Sequence, residues 1–398
     1  MSLTVPIYLD NQSTTRVDPC VVDAMLPYFS DQYGNAGSTS HGFGWDAKEA
    51  VEASRRTIAE AIGAGPREIV FTSGATESNN LAIRGVAEWP RRRGNHIVSV
   101  TTEHKAVLDP LDRLLSRGFE ITLLPITPDG NPQPGLVTAD QVADAIRPDT
   151  VLVSVMLANN EIGVIQPIAQ IGQICKQQGV LFHSDATQAV GKLPIDVEAL
   201  QVDLLSFSAH KLYGPKGIGA LYVRRRNPQV RLLPLMDGGG QEAGRRSGTI
   251  NVPGCVGFAK ATEISLAKMD VEQPRLAALR QELYEGFMSD ISDVRLNGPE
   301  LDDATVRLAG NLNMRFRHVE GESLMISVGD VAVSSGSACT SANPEPSHVL
   351  RSLGLSDDDT RSSVRFGIGR FNTQSEIEYV VKTIAEAVWR LRAMSSLA

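Results

Sequence analysis

Between Glu68 and Val223, short runs rich in β-branched residues alternate with helical stretches, and this constrains the fold more than any other feature of the chain. The runs are Ile69–Thr72, Ile97–Val100, Ile121–Leu124, Val151–Leu157, Val180–His183, Leu204–Ser206 and Gly219–Val223. Strands separated by helices are what βαβ units require, because a parallel neighbour is reached only through a long crossover. The expected core is an α/β domain around a mostly parallel, seven-stranded sheet. Ile168, Ile171 and Cys175 recur at helical spacing between two of the runs and mark a face packed on the sheet, and Val51, Ile58 and Ile62 do so in a helix before it.

The C-terminal third has a different pattern. Leu276, Leu279, Leu283 and Phe287 fall on one helical stripe, and Ile377, Val380, Val381, Ile384 and Val388 on another. The strand-like Asn311–Phe316 and Val331–Ser334 lie between them, so a smaller α+β domain is expected. The Gly-rich stretch 236–250 reads as loop. The 398 residues carry 38 Lys+Arg against 46 Asp+Glu, a net charge of −8, which argues against direct nucleic-acid binding or an anionic membrane as partner. No apolar run approaches the length of a membrane span, and the N-terminus resembles neither a secretory leader nor a transit peptide, so a cytoplasmic protein is expected. Cys20, Cys175, Cys255 and Cys339 are far apart and show no metal-ligand spacing.

Lys211 follows the run Leu204–Ser206 and precedes a Gly/Pro turn, at a strand end where α/β sheets place their sites. By itself it reads first as a solvated loop lysine. Asp185 ends another strand 26 residues earlier, and the pair suits a pyridoxal phosphate (PLP) site in which Lys forms a Schiff base and Asp faces the pyridine nitrogen. Phe71-Thr-Ser-Gly-Ala-Thr-Glu-Ser runs from a strand into a helix. Backbone amides at Ala75 and Thr76, with the Thr76 hydroxyl, would bind phosphate there, unless the segment is only a capped helix start. Ser208 and His210 would add donors. Cys339 sits in a polar run of small residues that reads as a surface loop, either an inert thiol or a functional one.

Taken together, Tyr8-Leu-Asp-Asn, Thr102-Glu-His-Lys-Ala-Val, Asn159-Asn-Glu-Ile-Gly, His183-Ser-Asp-Ala-Thr-Gln, Ser208-Ala-His-Lys-Leu-Tyr-Gly-Pro-Lys-Gly, Arg246-Ser-Gly-Thr and Ser334-Ser-Gly-Ser-Ala-Cys-Thr-Ser resemble the class V, fold-type I PLP enzymes, and within them the cysteine desulfurases of the IscS/NifS type. The resemblance covers nearly the whole chain. It implies that Lys211 carries PLP, that His104 stacks on the ring and moves protons, that Asp185 pairs with the ring nitrogen, and that Gln188 meets the phenolic oxygen. Ala75, Thr76, Ser208 and His210 would hold the phosphate, joined by Thr249 from the second subunit of a homodimer. Asn160 and Arg365 would bind the carboxylate of L-cysteine. Cys339 would take the sulfur as a persulfide, leaving L-alanine, and pass it from a mobile loop to acceptor proteins such as an iron–sulfur scaffold.

The same resemblance implies a large PLP-binding domain over residues 16–257 and a small domain formed by 1–15 with 258–398. The form of the Cys339 loop resembles the housekeeping IscS/NifS group. Two departures stand out: Tyr33-Gly-Asn-Ala-Gly-Ser replaces the usual Asn-Pro, and the sequence ends at Met394-Ser-Ser-Leu-Ala without the scaffold-docking tail of bacterial relatives. How a scaffold docks, and whether Cys339 shares in ligating an iron–sulfur cluster, therefore stay open; no other metal is expected. The competing readings are a selenocysteine lyase or related class V aminotransferase, and a non-catalytic sulfur-carrier scaffold. Intact Lys211, Asp185, His104 and Arg365 argue against the last.

Overall fold

The computed structural model describes residues 3–90, 93–335 and 346–394. Among these, twelve strands form three sheets: β1 (Ile7–Tyr8), β2 (Ile69–Thr72), β3 (His96–Val100), β4 (Glu120–Leu124), β5 (Thr150–Ser154), β6 (Leu181–Asp185), β7 (Leu204–Ser208), β8 (Gly219–Val223), β9 (Val294–Leu296), β10 (Asn311–Phe316), β11 (Val331–Ala332) and β12 (Ser363–Gly367). The large sheet has the order β2-β8-β7-β6-β5-β3-β4. Only β8 runs against its neighbours. The carboxyl ends of the others therefore open along one edge, where open α/β sheets bind ligands.

Every residue of β3, β5, β7 and β8 is buried, as expected of strands covered by helices on both faces, whereas the edge strand β4 is largely exposed. The expected stripe at Ile168, Ile171 and Cys175 is buried on the helix Ile168–Gln178, which stops at Gly179 in a left-handed cap (φ 64°). The helix Gly42–Glu60 buries Ala47, Val51, Ser54 and Ile58, and Ile62 packs just beyond its end.

The second sheet, β12-β10-β9, is antiparallel and packs its apolar face against the helices Val252–Asp290 and Gln374–Met394. Phe287, Phe316 and Phe366 meet there with ring centroids 5.0–6.2 Å apart. Ile7 and Leu9 join the same core. The strand β1 pairs with β11, and Gly367 donates to the Leu9 carbonyl at 2.6 Å, which draws residues 10–15 across to the large sheet.

Several strand limits differ from expectation: β7 runs on to Ser208 rather than Ser206, and β11 stops at Ala332 rather than Ser334. The fifth strand stops at Ser154 rather than Leu157, although Val155 and Leu157 still donate to the His183 and Asp185 carbonyls. The next strand extends to Asp185, two residues past the expected end, because its register with β7 continues to Ser206. The 236–250 loop contains a short turn, Glu242–Gly244, pinned by a buried Arg55–Glu242 ion pair at 2.7 Å. Among the described residues no helix is long and apolar enough to cross a membrane.

Candidate active site

A cavity of about 510 Å³ opens where the carboxyl ends of β2, β3, β5, β6 and β7 converge. Ala75, Thr76, His104, Asn160, Asp185, Gln188, Ser208, His210, Lys211 and Arg365 all line it. Thr249 does not; it lies exposed on the Gly-rich loop of this chain. Cys339 falls outside the described residues. The residues flanking that segment are tied to the site: Ser334 and Arg365 exchange backbone hydrogen bonds, and Ser347 Oγ donates to Glu161 Oε2 at 2.5 Å.

Lys211 leaves the end of β7 in a single 3₁₀ turn, and its Nζ donates to the carbonyls of Gln12 (2.6 Å) and Ser13 (2.5 Å). Asp185 ends β6. Its Oδ2 accepts from Asn79 Nδ2 at 2.6 Å and its Oδ1 from the Thr187 amide at 2.9 Å, which engages both oxygens and fixes the carboxylate plane. His104 caps the helix Lys105–Leu115, with Nδ1 accepting from the Ala106 amide at 3.0 Å. Burial lowers its pKa, against the opposing charge of Asp185 and with that of Lys211. The neutral ring consequently carries its proton on Nε2. Its neighbour Glu103 is pushed well above its usual value by burial and by Asp185, against hydrogen bonds from the Met156 and His104 amides, and its Oε1 accepts from the Met156 amide.

The helix Ala75–Ala87 begins at Gly74, whose backbone (φ 152°, ψ 179°) lies in a region essentially restricted to glycine. No side chain caps this terminus, so its first amides face the cavity beside Ser208 and His210. Burial, then the charges of Lys211 and Lys216, pulls His210 down to about 4; its Nδ1 shares a hydrogen bond with Thr14 Oγ1 at 3.1 Å. Glu77 in the same helical turn would repel an anion. Against the cost of burial, however, its hydrogen bonds to Arg246 and Ser73 keep it ionised and neutralised.

Arg365 is 2% exposed. Its Nη2 donates to Asp10 and Ser13 at 2.7 Å, and its Nη1 to the backbone carbonyl, not the side chain, of Asn160 at 3.0 Å. The buried Nε has no partner among the described residues, nor does the buried Oδ1 of Asn79. An uncapped helix start, a pre-oriented carboxylate, a lysine at a strand end and two orphaned polar atoms around one cavity fit PLP and an amino-acid carboxylate. Gln12, Ser13 and Asn79 belong to this site, although no role was predicted for them; Asn79 lies four residues past Ala75, one helical turn on, the only signal that could have marked it.

The aminotransferase class-V family matches residues 7–380. The cysteine desulfurase IscS of Anaeromyxobacter dehalogenans (strain 2CP-C) is 55% identical over 395 residues, 99% of this chain and 95% of that protein. Among solved structures, a NifS-like protein superposes with a TM-score of 0.87 at 36% identity, covering 96% of this chain and 99% of that one. A structure described as SspA in complex with cysteine has a TM-score of 0.79 at 36% identity, covering 92% and 100%.

Proposed function

Because the chain belongs to the aminotransferase class-V family, in which it is a PLP-dependent cysteine desulfurase, we propose that the cavity at the carboxyl edge of the large sheet is where it takes sulfur from L-cysteine. The observation that carries this is the convergence of Lys211, Asp185, His104 and Arg365, from four separate stretches of chain, on one cavity. The cysteine named with the SspA structure supports the same substrate.

Bound there, PLP supplies an electron sink for charge developing at the substrate Cα. Lys211 Nζ would anchor it and, when freed by the substrate amine, would exchange protons at that carbon, while His104 Nε2 would donate toward the same region. Asp185, held by Asn79 and Thr187, pairs with the ring nitrogen, and the amides of Ala75 and Thr76 with Ser208 and His210 take the phosphate. Gln188 faces the phenolic oxygen. Arg365, aided by Asn160, receives the substrate carboxylate. The Cys339 thiolate attacks the substrate sulfur: an S–S bond forms, the C–S bond breaks, and the carbon skeleton leaves as L-alanine once protonated.

The finer parts of this reading are a homodimer in which Thr249 completes the partner's phosphate site, delivery of the persulfide to an iron–sulfur scaffold, a cytoplasmic setting, and division into 16–257 and 1–15 with 258–398. The homodimer is supported by large apolar side chains left exposed in residues 29–45, among them Phe29 (63%) and Trp45 (59%). The direct test is purification as expressed, an absorption spectrum, and product analysis with L-cysteine beside L-selenocysteine. With a dithiol added to reduce the persulfide and release its outer sulfur, equimolar alanine and sulfide from L-cysteine are expected; turnover of L-selenocysteine alone would overturn the substrate assignment.

A further inference from the structure

The assigned chemistry makes no use of Lys192, which lies behind the pocket wall. Its Nζ donates to Gln188 Oε1 at 2.9 Å. Gln188 Nε2 donates in turn to the Gln12 carbonyl at 2.8 Å, the same oxygen that accepts from Lys211 Nζ. The Gln188 amide group and the Lys211 nitrogen are thus brought side by side. An amide can present either its oxygen or its nitrogen to the pocket, but an ammonium has donors only, so Lys192 forces Oε1 away from the pocket and Nε2 toward Lys211.

The surroundings of Lys192 favour that role. Glu272 lines the same small cavity but is engaged by Arg370 at 2.6 Å. Burial, then the like charges of Lys211 and Arg365, pulls the Lys192 ammonium down to about 7, so the donor-only form that sets the Gln188 amide prevails below that pH. The carboxylates of the main cavity wall, Asp185 and Asp10, are committed respectively to Asn79 with the Thr187 amide and to Arg365.

We propose that Lys192 is a positioning residue that locks Gln188 as an obligate donor to the phenolic oxygen of bound PLP. This rests on the reading that Gln188 meets that oxygen. A hydrogen bond donated to the phenolic oxygen draws off negative charge that would otherwise hold the proton on the neighbouring Lys211 nitrogen. Losing the bond therefore raises the pH at which the visible absorption of the holoenzyme titrates.

The test is a spectral pH titration of the holoenzyme and its variants. Gln188→Ala should raise the midpoint by about one pH unit, the size of one charge-assisted hydrogen bond. Lys192→Met should raise it comparably, Lys192→Arg should restore the original midpoint, and Lys192→Met added to Gln188→Ala should shift it no further. An unmoved midpoint in Gln188→Ala would remove the underlying reading of Gln188. A shift in Gln188→Ala but not in Lys192→Met would overturn the role of Lys192. So would a full further shift in the double variant, which would mark Lys192 as a charge acting at a distance. Lys192→Leu repeats the test should Lys192→Met not yield folded holoenzyme.

Discussion

Asp185 is held at both oxygens by groups of its own chain, so its orientation does not depend on a ligand's arrival. Asn79 therefore matters through Asp185. Asn79→Ala should weaken PLP binding about tenfold, the value of one hydrogen bond to a charged group, as measured by spectral titration of apoenzyme; unchanged affinity would show that the Thr187 amide suffices. Lys211→Ala should abolish the visible absorption of its linkage to the cofactor, and a retained band would assign that linkage to another lysine. The sequence made Lys211 and Asp185 readable because each stands at the end of a strand run, whereas His104, the cap of the helix Lys105–Leu115, was marked only by the family resemblance. Gln12, Ser13 and Asn79 were not readable in the same way. Gln12 and Ser13 meet Lys211 through backbone carbonyls, which carry no residue signature, while Ser13 Oγ and Asn79 act through contacts made 352 and 106 residues away.

Among elements, the start of the helix Ala75–Ala87 carries the largest local constraint. Gly74→Ala would force a side chain into a backbone region costing about 1–3 kcal/mol and would distort the amides offered to phosphate. Both a lower melting temperature and weaker PLP binding are expected, and a variant unchanged in both would contradict the strained-turn reading. The strands bring a second consequence, since His183 is buried inside the sheet between Ser154 and Ser206 at 2.9 Å. Burial depresses its pKa to about 4, so the unfolded chain binds a proton there that the folded chain refuses. Stability present above the unfolded value of about 6.5 is lost as pH falls from there toward 4. His183→Gln should flatten the decline in melting temperature across that window, and an identical decline would assign it to other groups. Strand existence was legible from apolar runs, but strand ends were not. Val155 and Leu157 continue the apolar pattern and the backbone pairing after the regular strand has ended, because that segment remains buried.

For the whole molecule, the two apolar cores were legible as two kinds of periodicity, period two with crossovers and then helical stripes, but their connection was not. The helix Val252–Asp290 serves both, with Val252–Ala261 against the large-sheet core and Leu276–Phe287 against the small one. A division at one residue number therefore cuts an unbroken helix. Assembly belongs to the same scale. Replacing Phe29 and Trp45 with Ser should shift the protein from dimer to monomer in sedimentation velocity and weaken PLP binding through loss of the partner's Thr249; a dimer of unchanged stability would move the interface elsewhere. The central claim, that this cavity and Cys339 together remove sulfur from cysteine, is tested most directly in Cys339→Ala holoenzyme given L-cysteine. The account predicts a spectrum that still responds to cysteine with neither alanine nor sulfide formed, and wild-type yields of both products would contradict it.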